Sequence, residues 1–215
     1  NGVRYEVDVR LGHKTGFFLD QRENRRQLRE VAKDKDVLDL FSYTGGFAVA
    51  AALGGARRTV AVDAAGKAVE ACRRNFELNG MGAETHEVHK ADCWEFLDMA
   101  VREGHEYDII VVDPPSMAPR EQLRSQAVRK YTELNEGALK LLRPGGLLIS
   151  CSCSSHVTRK DLLGAVSKAA QNAGRVVKLE DEGRAGSDHP VRIGFPEGDY
   201  LQALYYRVDR SGAVK

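Results

Sequence analysis

The sequence lacks the features that mark membrane proteins, secreted proteins and disulfide-stabilised proteins. It contains no run of about 18 consecutive apolar residues, which excludes a transmembrane helix of ordinary length. Its first ten residues are mixed and polar, unlike a secretory signal peptide. Four cysteines in 215 residues are too few for a disulfide framework, so we expect a reducing, cytoplasmic environment.

Metal-binding patterns and a strong net charge are also absent. No Cys-x-x-Cys pair occurs and the six histidines are scattered, so we expect no metal site. The 32 basic and 31 acidic residues leave a formal charge of +1, which does not by itself indicate a nucleic-acid-binding protein. Local patches matter more than this sum. Two basic clusters are candidate phosphate contacts, namely Arg22, Arg25, Arg26 and Arg29, and Arg120, Arg124, Arg129 and Lys130.

Short apolar runs alternate with segments of helical periodicity along the chain. The runs predict strands at residues 37–41, 59–62, 85–89, 109–112, 147–150, 176–180 and 203–208. The segments between them predict helices at residues 22–32, 47–53, 66–79, 94–102, 121–142 and 159–173. Strands that alternate with helices form a mostly parallel sheet with helices on both faces. The last strand has no clear crossover helix before it, so we expect it to run antiparallel.

Two further segments complete the predicted fold. Residues 3–11 alternate apolar and polar side chains, and together with residues 16–19 they predict a short N-terminal β-hairpin. The Pro-Gly-Gly sequence at residues 144–146 predicts a turn that ends the preceding helix. The expected fold is α/β and Rossmann-like, with a seven-stranded sheet within residues 21–215 and the hairpin within residues 1–20.

A glycine-rich loop follows the first predicted strand. Residues 41–47 have the sequence Phe-Ser-Tyr-Thr-Gly-Gly-Phe and lead into a helix, the position at which doubly wound sheets bind nucleotide-like ligands. Gly45 and Gly46 allow a ligand to approach the backbone closely, since no Cβ intervenes. Asp63 ends the next strand, 18 positions after Gly45, where a carboxylate can accept hydrogen bonds from both hydroxyls of a ribose.

This loop does not by itself separate two nucleotide-like ligands, NAD and S-adenosylmethionine. A strict Gly-x-Gly-x-x-Gly pattern is absent, because Tyr43 stands at the first glycine position. A pyrophosphate needs an exposed helix N-terminus, whereas a bulkier loop suits a ligand without phosphates, which favours S-adenosylmethionine. After the third strand, Asp92 is expected to cap the next helix and, beside Cys93, to reach an adenine amino group.

A proline pair follows the fourth predicted strand. Asp113, Pro114 and Pro115 end a fully apolar run. Prolines fix φ and donate no backbone hydrogen bond, so this turn is stiff and its carbonyls are oriented acceptors. Such a turn can hold a planar base, either by accepting hydrogen bonds from a target amino group or by orienting a ring for methylation at carbon.

Two cysteines lie on one face of the fifth predicted strand, because residues two apart in a strand point the same way. Cys153 is nearer than Cys151 to the carboxyl end of the strand, where ligands bind. A thiolate at that place can add to C6 of cytosine and make C5 nucleophilic toward a methyl sulfonium. Cys72, Cys93 and Cys151 are expected to be structural, the commonest fate of a buried cysteine.

Several motifs occur in one order along the chain and are specific in combination. They are residues 12–22, residues 41–47, Asp113-Pro114-Pro115, Ser152-Cys153-Ser154, residues 188–190 and residues 196–201. These motifs resemble the ribosomal RNA large subunit methyltransferase I family, over nearly the whole chain. The resemblance implies a class I S-adenosylmethionine-dependent enzyme that makes 5-methylcytosine in large-subunit ribosomal RNA. It also implies a PUA-like RNA-binding domain ahead of this segment, and the chain begins with Asn1 rather than Met, which suggests a trimmed protein.

The expected site combines the residues above with those that the resemblance implies. By the family pattern Cys153 is the nucleophile, and the expected catalytic residues are Cys153, Asp113 and Pro115. The resemblance also implies that Gln21 and Arg22 close over the methyl donor. The expected donor-binding residues are Gln21, Arg22, Asp39, Phe41, Ser42, Tyr43, Thr44, Gly45, Gly46, Asp63, Ala64, Asp92, Cys93, Asp113 and Pro114.

Three other functions stay open at this point. An amino-methyltransferase acting on a nucleic acid would use the proline turn and need no cysteine. An NAD-dependent oxidoreductase would need a strict phosphate loop and a residue that handles hydride, which the sequence does not offer. A noncatalytic RNA-binding module could keep the same fold. Because a base must leave a duplex before it reacts, naked or unfolded ribosomal RNA is the expected partner, and a homodimer is compatible with the sequence.

Overall fold

Seven strands form one mixed sheet in the computed structural model, which describes residues 2–10, 12, 16–82, 84–195 and 198–209. The strand order is β3-β2-β1-β4-β5-β7-β6, in which β1 to β5 run parallel and β7 runs antiparallel to both β5 and β6. The predicted sheet and its antiparallel last strand are therefore confirmed. The strands are β1 (Asp36–Leu40), β2 (Arg58–Asp63), β3 (His86–Lys90), β4 (Tyr107–Val112), β5 (Leu142–Ser152), β6 (Val177–Gly183) and β7 (Gln202–Val208).

Within the described residues, six α-helices cover the two faces of the sheet. They are α1 (Arg22–Val31), α2 (Gly46–Leu53), α3 (Gly66–Leu78), α4 (Cys93–Glu103), α5 (Arg124–Leu141) and α6 (Arg159–Asn172). Short 3-10 turns at Leu19–Gln21 and Glu121–Leu123 precede α1 and α5. Each predicted helix is present, with ends that differ by a few residues. In the described part of the chain, no helix has the length and apolar character needed to cross a membrane.

The alternation of side chains along the strands divides the core into two layers. Leu38 and Leu40 of β1 pack with the helices α4, α5 and α6 on one face. Val37 packs with α1 and α2 on the other face. All five residues of β1 are buried, including its two acids, Asp36 and Asp39, and the other three residues are the apolar Val37, Leu38 and Leu40.

The N-terminal segment differs from the predicted hairpin. None of the described residues between 2 and 18 lies in a strand, and part of the expected turn, at residues 11 and 13–15, lies outside the described residues. The backbone of this segment instead forms hydrogen bonds with two asparagine side chains, one in α3 and one directly after it. Glu6 N–H donates to Asn75 Oδ1 at 2.7 Å, and Arg4 exchanges two hydrogen bonds with Asn79. The hairpin prediction was wrong because a helix, not a second strand, satisfies this backbone.

The Pro-Gly-Gly sequence does not form the predicted turn between a helix and the next strand. Strand β5 begins at Leu142, directly after α5, so the expected turn falls inside the strand. Tyr107 pairs with Leu142 and Ile109 pairs with Leu147, which leaves residues 143–146 opposite a single residue of β4. The turn is therefore a bulge, at the edge of the sheet opposite to the one where ligands bind.

Candidate active site

A cavity of ≈ 370 Å³ opens at the carboxyl ends of the parallel strands. Its walls come from the loops that follow β1 to β4, from the end of β5 and from the segment that leads into α1. Ligand sites of small molecules and cofactors have volumes of about 300–1,000 Å³. The cavity therefore has the size and the place that a doubly wound sheet gives to a nucleotide-like ligand.

The glycine-rich loop holds an unusual backbone conformation. Phe41 and Tyr43 have φ values of 60° and 50°, a region that non-glycine residues rarely occupy. Two neighbours hold it: Phe41 N–H donates to Cys93 Sγ at 3.2 Å, and Tyr43 N–H donates to Asp63 Oδ2 at 2.8 Å. Tyr43 thus adopts a left-handed backbone conformation that glycine takes more readily. Gly45 has φ 81°, and a Cβ there would collide with Cys72 Sγ.

Two carboxylates line the cavity on the side of β2 and β3. Asp63 accepts hydrogen bonds from the backbone N–H groups of Tyr43 and Ala65, both at 2.8 Å. Asp92 caps α4, with Oδ1 accepting from Trp94 N–H at 2.9 Å, so the predicted cap is confirmed. Each carboxylate keeps lone pairs beyond these bonds. The two carboxylates can therefore accept hydrogen bonds from hydroxyl or amino groups of a ligand.

The proline turn is tied to the segment before α1. Gln21 Nε2 donates to Asp113 Oδ2 at 3.0 Å, and Asn24 Nδ2 donates to Gln21 Oε1 at 2.6 Å. Gln21 and Asn24 are buried, so this chain of bonds is rigid. Asp113 lines the cavity together with Pro114 and Pro115.

Two buried serines fix the backbone on either side of Cys153. Tyr131 O–H donates to Ser152 Oγ at 3.0 Å, and Met117 N–H donates to Ser154 Oγ at 3.0 Å. The second bond anchors the segment after the prolines to the end of β5. Cys153 Sγ lies 3.9 Å from the carbonyl oxygen of Pro114 and faces the cavity. The structure thereby brings Cys153 and the proline turn together.

The other cysteines are held as buried thiols. Cys151 is fully buried, and burial raises its pKa well above the ordinary value. Burial likewise raises the pKa of Cys72, and it raises that of Cys93 to about 12. Cys93 also lines the cavity, although its thiol hydrogen bonds to backbone groups on both sides. Cys151 in β5 and Cys153 directly after it therefore differ in accessibility, and Cys153 is the one that a ligand can reach.

Three predicted donor residues do not line the cavity, while the remaining ones do. Arg22 forms salt bridges with Asp188 at 2.8 Å and with Glu23 at 3.0 Å, so it does not lie over the cavity. Gly45 lies behind the loop, against Cys72. The third residue, Asp39, is buried beneath the loop.

Asp39 is enclosed at the first turn of α2. Its Oδ2 accepts from Ala48 N–H at 2.9 Å, and its Oδ1 has no hydrogen-bond partner among the described residues. Burial raises the pKa of the Asp39 carboxyl well above its ordinary value, and the negative charges of Asp113 and Asp63 add to the shift. Asp39 therefore supports the loop from below and does not contact a ligand in the cavity directly.

Sequence reasoning missed several residues of the cavity wall, namely Phe17, Phe18, Asp20, Arg25, Phe47, Ala65 and Leu201. The assignment of Arg25 to a basic surface cluster was wrong, since only 8% of this residue is exposed. Arg25 lies four residues after Gln21, the residue that precedes α1, and three residues before Leu28 of α1. This helical spacing places the three residues on one face, and it could have indicated that Arg25 is buried. Asp20 accepts a hydrogen bond from Tyr200 O–H at 2.6 Å, across 180 residues, for which no local signal exists.

The comparison with protein families decides the identity of this fold. The family model described as S-adenosylmethionine-dependent methyltransferase matches residues 1–192. The chain belongs to this methyltransferase family. Its methyl donor is therefore S-adenosylmethionine, and the expected cofactor is confirmed.

Curated relatives of this methyltransferase act on ribosomal RNA by name. A "Ribosomal RNA large subunit methyltransferase" of Deinococcus radiodurans is 41% identical over 209 residues, which are 97% of this chain and 51% of that protein. A "Ribosomal RNA large subunit methyltransferase I" of Klebsiella pneumoniae is 40% identical over 208 residues, 97% of this chain and 52% of that protein. The chain thus spans about half the length of the curated relatives it matches.

A solved structure agrees with the methyltransferase fold. The protein SMU.776, described as a methyltransferase and crystallised in complex with S-adenosylhomocysteine, superimposes with a TM-score of 0.87 at 32% identity. The match covers 97% of this chain and 54% of that one. The Rossmann-like methyltransferase fold predicted from the motifs is confirmed. In the described residues of this methyltransferase, no three His, Cys, Asp or Glu side chains form a group that could hold a metal ion.

Proposed function

We propose that this protein transfers the methyl group of S-adenosylmethionine to C5 of a cytosine in large-subunit ribosomal RNA, through a covalent adduct on Cys153. The names of its relatives support the ribosomal RNA substrate. The accessibility of the cysteines carries the mechanism. Of the four, all of which lie in the described residues, three are buried and Cys153 is partly exposed. A reachable thiol beside a rigid acceptor-rich turn is the arrangement that covalent attack on a pyrimidine requires.

The donor would lie across the carboxyl ends of β2, β1 and β4. In this proposal Asp63 accepts hydrogen bonds from the ribose hydroxyls and Asp92 accepts one from the adenine amino group. Both carboxylates line the cavity on the side of β2 and β3. Residues 41–46 enclose the donor from below with their backbone. Gln21 holds Asp113 at the other side, through the 3.0 Å hydrogen bond between them.

The reaction would proceed by addition and elimination at the cytosine ring. The thiolate of Cys153 forms a bond to C6, and the C5–C6 π electrons become available at C5. The bound donor supplies a methyl group on a sulfonium, whose carbon–sulfur bond breaks as C5 takes the methyl. A base then removes the C5 proton, the C5–C6 double bond re-forms and the bond between Cys153 and C6 breaks. This covalent route replaces one difficult step by several easier ones.

The proline turn would orient the target ring during these steps. The carbonyl oxygen of Pro114 lies 3.9 Å from Cys153 Sγ, so a base that contacts one is close to the other. Asp113 and Pro115 line the same part of the cavity and can accept from the exocyclic amino group. A base that reaches this depth has left its helix, at a cost of a few kcal/mol, which favours naked or unfolded ribosomal RNA as substrate.

The decisive experiment measures methyl transfer from labelled S-adenosylmethionine to unmodified ribosomal RNA, followed by digestion to nucleosides. We expect 5-methylcytidine as the product. Cys153→Ala should lower the rate by at least about 1,000-fold, since it removes the nucleophile, and should leave donor binding intact. Cys151→Ala is the matched control two residues earlier and should retain most of the activity, because the thiol of Cys151 is buried.

Two other results would contradict the proposal. An N-methylated nucleoside, with full activity of the Cys153→Ala variant, would establish an amino-methyltransferase that uses the Asp113-Pro114-Pro115 turn. The lining of the cavity by this turn is the observation that favours that second function. RNA binding without any methylated product, on either naked or assembled RNA, would indicate a noncatalytic module.

A further inference from the structure

Arg25 is a buried cation that forms no salt bridge with any carboxylate of the described residues. It lines the cavity with 8% of its surface exposed. Its Nη1 donates to the carbonyl oxygen of Phe18 at 2.8 Å, and its guanidinium lies 4.5 Å from the centre of the Phe17 ring. A guanidinium carries five N–H donors, and the hydrogen bond to Phe18 occupies one of them, so its cavity side can donate to a ligand.

Such a group is unfavourable in the protein alone. Removal of a charge from water is costly unless a counter-charge or full hydrogen bonding compensates it. Burial lowers the pKa of Arg25, even though Tyr5, Asp113 and Asp20 lie near enough to raise it. The carboxylates of Asp113 and Asp20 are near but form no salt bridge with Arg25 among the described residues, so a ligand carboxylate can still pair with it directly.

The place of Arg25 indicates which part of a ligand it meets. Its side chain packs against Gly46, at the N-terminal end of α2. The first turn of a helix carries a partial positive charge, which adds to that of the guanidinium. Asp63 and Asp92, the acceptors for ribose and adenine, lie toward β2 and β3, whereas α1 lies toward β5 and β7, where Asn24 bonds to Tyr205. Arg25 thus lies at the end of the cavity away from the adenine acceptors.

We propose that Arg25 binds the α-carboxylate of the methionine part of S-adenosylmethionine. The carboxylate is the one negative charge of this donor, and it lies at the end of the molecule remote from adenine. A guanidinium can bind a carboxylate with two parallel hydrogen bonds, which explains why arginine rather than lysine suits this site. The inference rests on the methyl donor of the family and not on the cytosine substrate or on Cys153.

The test compares two donors that differ only in this group. Isothermal titration would measure S-adenosylmethionine and decarboxylated S-adenosylmethionine with the wild type, Arg25→Met and Arg25→Lys. We expect the wild type to prefer the carboxylated donor by about 10- to 100-fold, the range of a hydrogen-bonded charge pair. Arg25→Met should bind both donors alike, near the wild-type affinity for the decarboxylated one, and Arg25→Lys should keep part of the preference.

Two controls separate binding from folding. Arg26→Met changes the neighbouring, exposed arginine, which pairs with Glu23 and Glu30, and should keep the full preference. Thermal unfolding without donor should show Arg25→Met at least as stable as the wild type, since methionine retains the contact with Phe17 and removes a buried charge. If Arg25→Met does not fold, the difference between the two donors in Arg25→Lys still measures the effect.

Three results would overturn the proposal. A full preference for the carboxylated donor in Arg25→Met would show that another group binds the carboxylate. An equal loss of affinity for both donors would show that Arg25 only shapes the cavity wall. Unchanged donor binding together with weaker RNA binding would assign Arg25 to an RNA phosphate. None of these results depends on turnover, so they are distinct from a failure of the cytosine mechanism.

Discussion

At the scale of the residue, burial determines what each ionisable group of the site can do. Cys151 near the end of β5 and Cys153 just after it are two residues apart, yet one thiol is fully buried and the other lines the cavity. Asp39 and Asp63 stand at or near the ends of adjacent strands, yet burial raises the pKa of Asp39. The same residue type thus has a structural role at one position and a place in the cavity at another.

The buried carboxyl of Asp39 predicts a pH-dependent stability. Its folded pKa lies well above the ordinary value of 3.8, so the folded protein keeps a proton that the unfolded chain releases. The unfolding free energy of the wild type should therefore fall as the pH rises from about 3.8 toward the folded pKa, by about 1.4 kcal/mol for each pH unit in that range. Asp39→Asn has no such proton and lacks this contribution.

Urea unfolding of both proteins without donor, at several pH values from 4.5 to 8, checks this expectation. Asparagine at position 39 can still accept the hydrogen bond from Ala48 N–H. The stability of Asp39→Asn relative to the wild type should increase with pH, because only the wild type loses stability as the carboxyl of Asp39 ionises. A difference that stays constant across this range would mean that Asp39 titrates normally in the folded protein.

At the scale of the element, α3 holds two segments that have no strand partner. Asn75 is fully buried, and its Nδ2 donates to the carbonyl oxygen of Thr44 at 2.8 Å. Its Oδ1 accepts from Glu6 N–H in the N-terminal segment. One side chain of α3 therefore connects the glycine-rich loop to the first residues of the chain.

Asn75→Ala should consequently affect both stability and donor binding. The substitution leaves a buried carbonyl without its donor, which costs about 1–3 kcal/mol of unfolding free energy. The loop of Thr44 also lines the cavity, so the affinity for S-adenosylhomocysteine should fall in the same variant. Chemical unfolding and titration calorimetry measure the two effects.

Asn79→Ala provides the matched control for this prediction. Asn79 bonds to Arg4 of the same segment and to the backbone carbonyl of Asn75, and among the described residues no hydrogen bond joins its side chain to the loop. It should lower stability less and leave donor affinity unchanged. An equal effect of both variants on donor binding would show that the N-terminal segment, and not the Thr44 contact, supports the loop.

At the scale of the whole molecule, a net charge of +1 conceals an uneven surface. Of the N-terminal basic cluster, Arg22 and Arg26 form salt bridges with acids. Arg124 of the second cluster pairs with Asp161 and Glu121. In the described part of the chain, Arg120, Arg129 and Lys130 are exposed and form no salt bridge. They lie at or just before α5, after the proline turn, and are the better candidates for RNA phosphate contacts.

Neutralisation of this group should weaken RNA binding in a salt-dependent manner. Each phosphate contact on single-stranded RNA contributes about 0.7 to the slope of log affinity against log salt concentration. The combined variant Arg120→Gln, Arg129→Gln and Lys130→Gln should lower that slope by up to about 2 and leave donor affinity unchanged. Filter binding at several salt concentrations measures it, with Arg26→Gln as the paired-arginine control. An unchanged slope would place the RNA on another face.

Much of the fold and part of the site could be predicted from local sequence patterns. Apolar runs of strand length, helical periodicity and turn residues act within a few positions, so they located the seven strands and six α-helices that the described part of the chain contains. The glycine-rich loop, Asp63, Asp92, the proline turn and Cys153 each follow a strand. Since the carboxyl ends of parallel strands meet at one edge, their convergence at one cavity follows from the topology.

The sequence by itself thus determined the order of elements and the edge of the sheet where chemistry can occur. Only the tertiary structure decided which side chains that edge exposes. Arg22 turns to Asp188, Asp20 meets Tyr200, and Asn75 replaces the expected hairpin partner. These contacts join residues that are 166, 180 and 69 positions apart. Such pairs leave no periodic trace in the sequence, because burial and partners depend on how distant elements pack and not on neighbours along the chain.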